Sequence, residues 1–242
     1  MTACPKFSMR ELFADTLDYC YKNIRQILLF VLINALFFVF GFKVLNGWHD
    51  KLFLPWLALY YVYWFVFFRF YFGRKPLIVT KKIFGTLLPT AKIFVLMLLV
   101  MTLLLILPFV LPFVFGYTEW LDEYLQKLQK YMEDSEAVNL ATIVILTLVF
   151  PLIYYRPMMA WIGSVIGRSG VLSTAFARTK GCYLKFLLLT IVFNSAYLLV
   201  DYFDNRSGMD GWLNICFGSL LVVVGNVALA RVYEYFFLEI DK

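Results

Sequence analysis

The chain is poor in charge, in histidine and in cysteine. Charged residues make up 16% of its 242 positions, where a soluble domain carries about 25%. So few charges cannot coat a water-soluble globule of this size. The one histidine, His49, sits between Trp48 and Asp50. A lone imidazole excludes a multi-histidine metal cluster and gives no triad with the residues around it. Cys4, Cys20, Cys182 and Cys216 show no paired metal-ligand spacing. No metal and no cofactor are therefore expected. Acidic residues avoid the middle of every apolar run: Asp201 falls at one edge and Glu234 at another. A proton- or ion-coupled transporter places ionisable groups at mid-depth, so that mechanism is disfavoured. No cluster of His, Asp, Glu, Ser or Cys gathers at one interface, and a non-enzymatic role is expected.

What is abundant is apolar. Hydrophobic residues make up 62% and aromatic ones 20%, with mean hydropathy +0.78. This is the composition of an integral membrane protein. A spanning helix needs about 20 apolar residues. Six stretches qualify: Gln26–Val44, Phe53–Phe72, Ile93–Phe115, Val138–Ile166, Tyr183–Val200 and Trp212–Leu238. The runs are continuously apolar, without the alternation of a membrane β-barrel. Lipid satisfies no backbone groups, so each run should be helical. The expected fold is all-α, a polytopic membrane helical bundle of six transmembrane helices, with residues 1–242 as one domain. No signal peptide is read at the start, and the first run is expected to stay as an anchor.

The fourth stretch is too long for one straight span. Pro151, Arg156 and Pro157 predict a kink and an exit at the interface, so that span is taken as 138–157 and Met158–Ile166 as surface-lying. The third stretch repeats Leu-Pro-Phe-Val at 107–110 and 111–114. Between them, 118–136 reads as an outer amphipathic helix.

Charge is strongly sided. The side of the N-terminus holds 17 basic residues against 6 acidic ones, and the other side 5 against 10. Positive-inside bias then predicts both termini in the cytoplasm. The basic residues hug helix ends, so a nucleic-acid partner is excluded. Three of the cysteines fall on the cytoplasmic side, where a reducing compartment should keep them as free thiols.

The spans pair as three hairpins. The descending members each end with an arginine among apolar or aromatic residues: Arg69, Arg156 and Arg231. Each snorkels to the phosphate layer, or the three converge on an anionic lipid headgroup; Glu234 is an equally simple partner for Arg231. Two amphipathic lead segments precede ascending spans. One places Phe13, Thr16, Leu17 and Cys20 on a stripe; the other places Leu172, Ala175, Phe176 and Thr179. Asn34, Asn194 and Asn226 are the deepest strong polar groups and candidate intramembrane contacts. Gly163 and Gly167 form a GxxxG pair, read as an interfacial turn. Gly211, Gly218 and Gly225 recur every seven residues as a packing seam.

The stretch from Gly170 to Leu189, GVLSTAFARTKGCYLKFLLL, resembles a segment of the YciC-like family of bacterial inner-membrane proteins. It is similar to the membrane domain of some glycerophosphodiester phosphodiesterases as well. Tyr21-Lys22-Asn23 before the first span, and Arg231 with Tyr233 in the last, fit the same pattern. Cys182 departs from it, as does the acidic stretch 116–137. The resemblance implies a six-helix inner-membrane fold and brings no catalytic residue.

The expected function is therefore a non-enzymatic inner-membrane protein that binds membrane lipids or partner proteins in envelope maintenance. A transporter or channel for a small or lipidic solute, lined by the three asparagines, is the alternative. An accessory subunit of a membrane complex, or a homo-oligomer, is the other.

Overall fold

A computed structural model describes residues 8–45, 52–73, 91–92, 95, 99, 147–148, 151, 154–167, 172–208 and 211–238. The expected span Ile93–Phe115 with its tandem repeat, the outer helix 118–136, His49 and most of 138–153 lie outside them. The described residues form helices and no strand. They are α1 (Met9–Lys22), α2 (Ile24–Leu45), α3 (Phe53–Tyr71), α4 (Tyr155–Val165), α5 (Leu172–Arg178), α6 (Tyr183–Ser207) and α7 (Trp212–Phe237). Among the described residues, three helices are long and apolar enough to cross a membrane: α2 over Ile24–Gly41, α6 over Tyr183–Asp204 and α7 over Trp212–Phe237. The chain is thus an all-helical membrane protein. The described residues do not support six spans. The second expected span does form a helix, α3, of 19 residues, though it is not one of these three.

Ser8 starts α1 with a capping box. Its Oγ accepts the Glu11 N–H at 3.0 Å, and Glu11 Oε2 accepts the Ser8 N–H at 3.0 Å. The buried stripe of α1 is Leu12, Thr16 and Cys20. Leu17, expected on that stripe, is 63% exposed. The helix stops at Asn23, whose Nδ2 donates to Tyr19 O at 3.0 Å.

The α2–α3 hairpin is clasped by aromatic rings. Trp56 Nε1 donates to Phe37 O at 3.2 Å, and the Tyr63 hydroxyl donates to Phe30 O at 2.6 Å. Gly41 makes room for the indole: a Cβ there would lie 3.0 Å from Trp56 Cζ2. Phe30 packs on Tyr63, Phe67 and Phe70.

α4 corrects the reading of the fourth span. Pro157 is its third residue, within the first turn, where no intrahelical donor is needed. The helix therefore runs through 157 to Val165. It packs against its neighbours within the bundle, with Met159, Ala160, Trp161, Ile162 and Val165 buried. Trp161 wedges between Tyr61 and Phe68 of α3. Gly163 is a buried helix residue, while Gly167, at φ 80°, is the left-handed stop. The two glycines do different jobs and do not make one packing motif.

α6 and α7 form an antiparallel hairpin. Gly218 and Gly225 face the rings of Tyr197 and Phe193, at 3.5 and 3.4 Å from their would-be Cβ atoms. Gly211 of the expected seam instead takes φ 88° as the N-cap of α7. It has no side chain to cap with, so Asp204 of α6 does so from across the turn. Its Oδ1 accepts the Leu213 N–H at 3.1 Å, and Oδ2 accepts Asn214 Nδ2 at 3.1 Å. Asp201 accepts from the same amide at 2.9 Å. These bonds carry α6 two turns past the expected end at Val200. Cys182, the N-cap of α6, is disulfide-bonded to a partner outside the described residues. The expectation of free thiols holds for Cys20 and Cys216 and fails for Cys182.

Loss of the Asp204 cap should cost about 0.5–2 kcal/mol. Asp204→Ala is expected to lower the thermal midpoint in detergent, and Asp204→Asn, which keeps one acceptor, to recover part of the loss. An unchanged midpoint for Asp204→Ala would remove the cap from the account of the hairpin.

Candidate functional site

The three arginines are all described, and each is engaged within the protein. Arg231 Nη1 pairs with Glu234 Oε2 at 2.7 Å, the intrahelical partner the spacing offered. The Tyr71 hydroxyl donates to the same carboxylate oxygen at 3.3 Å. The guanidinium lies over the rings of Tyr19 and Tyr71, 5.4 and 5.7 Å from their centroids. Close by, the Tyr235 hydroxyl donates to Asp15 at 2.6 Å. α1, α3 and α7 are joined at this point. Arg69 Nη1 donates to Val165 O at 3.1 Å, which occupies a terminal carbonyl of α4. Arg156 lies over Phe176 of α5 at 5.2 Å. The described partners of the three arginines are different residues.

Burial dominates the chemistry around Arg231. It pushes the Tyr19 phenol up to about 12 and raises the Cys20 thiol, while the guanidinium pulls both the other way. A raised thiol pKa means less thiolate at any given pH. Cys20 should therefore react more slowly with a maleimide at about pH 8 in the folded protein than after denaturation. Equal rates in the two states would show that the packing of α1 on the bundle does not bury it.

The three asparagines separate into two environments. Asn34 of α2 is fully buried, and neither Nδ2 nor Oδ1 has a hydrogen-bond partner. Asn194 of α6 is exposed and its Nδ2 donates to Thr147 Oγ1 at 3.2 Å. Asn226 of α7 is buried, with Nδ2 donating to Val222 O at 2.8 Å. None of the three bonds to another.

Asn194 and Asn226 nevertheless share a groove of about 250 Å³ between the start of α4 and the α6–α7 hairpin. Leu189, Phe193 and Leu229 supply much of its apolar wall, and Gly225 leaves the space open. Asn194 is the twelfth of 25 residues in α6, and Asn226 the fifteenth of 26 in α7. The groove therefore sits near the middle of two membrane-crossing helices. Thr190 and Tyr155 add hydroxyls. Thr190 Oγ1 donates to Phe186 O at 2.9 Å and lies 3.2 Å from the Tyr155 oxygen.

The sequence reading found the asparagines but not the groove. Its signal was Gly225 directly before Asn226, a residue without bulk beside one with a polar tip. The Asp204 cap left no sequence signal, because its partners lie across two glycines that reverse the chain. No family model, curated protein or solved structure matches the chain.

An unmade hydrogen bond on a buried amide costs about 1–3 kcal/mol. Asn34→Leu, of similar volume, is therefore expected to raise the thermal midpoint in detergent. A clear drop would mean that Asn34 has a role in the fold that its contacts do not reveal.

Proposed function

We propose that this is a non-enzymatic, multi-pass membrane protein that binds lipid in the groove between α4, α6 and α7. The observation that carries this reading is the groove itself: apolar, about 250 Å³, and placed at mid-depth of two membrane-crossing helices. A cavity there opens toward hydrocarbon, so the molecules available to fill it are lipids. We place the protein in the bacterial inner membrane, as a YciC-like six-helix bundle of three hairpins serving envelope maintenance alone or with a partner protein. Sided charge supports cytoplasmic termini. The disulfide at Cys182 weighs against that orientation, because a reducing compartment opposes such bonds.

The transporter reading needs the three asparagines on one polar path. Asn34 is sealed and is not among the residues lining the groove, which favours the lipid-binding reading.

Native mass spectrometry of the full chain, extracted in mild detergent, tests the proposal. Lipid adducts should survive on the wild type. They should be depleted in Gly225→Leu, whose side chain would enter the groove against Phe193. A wild type without adducts, or a variant that keeps them all, overturns it.

A further inference from the structure

Asn226 gives the groove a chemical preference. Its amide Nδ2 is committed to Val222 O, one turn back on the same helix. Since a carbonyl can only accept, this contact fixes which end of the amide is nitrogen. Oδ1 is then the end left over. Among the described residues no group donates to it. Other polar groups on the groove wall have partners of their own: Thr190 Oγ1 donates to Phe186 O and lies 3.2 Å from the Tyr155 oxygen, and the Asn194 amide donates to Thr147 Oγ1. The side chain is about nine-tenths buried, and its remaining exposure is on the groove it lines.

An acceptor facing hydrocarbon goes unpaired unless a ligand brings a donor. Space is sufficient: an apolar cavity of about 150 Å³ already holds a benzene-sized group, and this groove offers about 250 Å³. We infer that the groove selects a lipid chain carrying a hydroxyl at mid-chain, whose O–H donates to Asn226 Oδ1 while the flanking methylenes pack against Leu189, Phe193 and Leu229. The inference rests on the lipid-binding reading above and adds the chemistry of the ligand.

Competition binding on the purified full chain tests it, using a stearoyl chain and the same chain hydroxylated near its middle as probes. One added hydrogen bond in a site of this kind is worth about tenfold in affinity, so the wild type should prefer the hydroxylated chain by about that factor. Asn226→Leu should bind both chains equally, at the affinity of the plain one. Gly225→Leu should bind neither. Equal binding of the two chains by the wild type overturns the hydroxyl preference and leaves lipid binding standing. Binding of neither chain overturns both. A preference that survives in Asn226→Leu removes Asn226 from the mechanism. The wild-type comparison needs no variant, so a poorly folding substitution does not protect the inference.

Discussion

Lipid offers no hydrogen bonds, and that constraint organises the polar half of this structure. Several polar side chains that enter the bundle are spent on another helix. Trp56 and Tyr63 of α3 give their protons to carbonyls of α2. Arg69 reaches the last turn of α4, and Asp204 collects the first donors of α7. Every such bond joins two helices that apolar packing alone would leave free to slide. The few polar groups thus fix the register of the many apolar ones, a task the uniform hydrocarbon surface of a Leu- and Phe-rich helix does poorly.

α7 is the element on which these bonds and the packing meet. Small residues let neighbours approach it closely: Gly218 and Gly225 on the α6 side, and Ser219, Ala228 and Ala230 among its buried positions. Its inner end carries the Arg231–Glu234 pair, which Tyr71 of α3 and Tyr19 of α1 cover. A partly exposed ion pair is worth little by itself. Here its value lies in the aromatic rings packed over it, since they belong to helices far apart in sequence.

Helix existence was legible from apolarity, and the starts of α3, α6 and α7 fall where the runs begin. Helix ends were harder. Pro157 read as a break because proline breaks helices in their interior; in the first turn of α4 it breaks nothing. Val200 read as an end because Asp201 and Asp204 are charged, whereas both are consumed by capping α7. The same local view misplaced the buried stripe of α1, where Leu12 rather than Leu17 meets the core. Which face of an amphipathic helix is covered depends on what packs there, and its neighbours in sequence say nothing of that: the partner, α7, lies some two hundred residues away. The arginine rim was legible as a set of positions and illegible as a set of partners, because a carbonyl such as Val165 O advertises nothing in the sequence.

Asn34 and Asn226 show how the same residue type separates structure from function. Both are asparagines on membrane-crossing helices, and both carry hydrogen-bonding capacity that the described residues do not fill. Asn34 is sealed on every side, so its unmet groups are a cost to stability and nothing outside can relieve it. Asn226 has one end of its amide satisfied by its own helix, and it lines the groove proposed above to take a lipid. An unpaired acceptor that a ligand can reach lowers the free energy of the bound state relative to the empty one, and so acts as selectivity. Gly225 contributes to the difference: a long side chain beside Asn226 would project into the groove against Phe193 and take the space in front of the second asparagine.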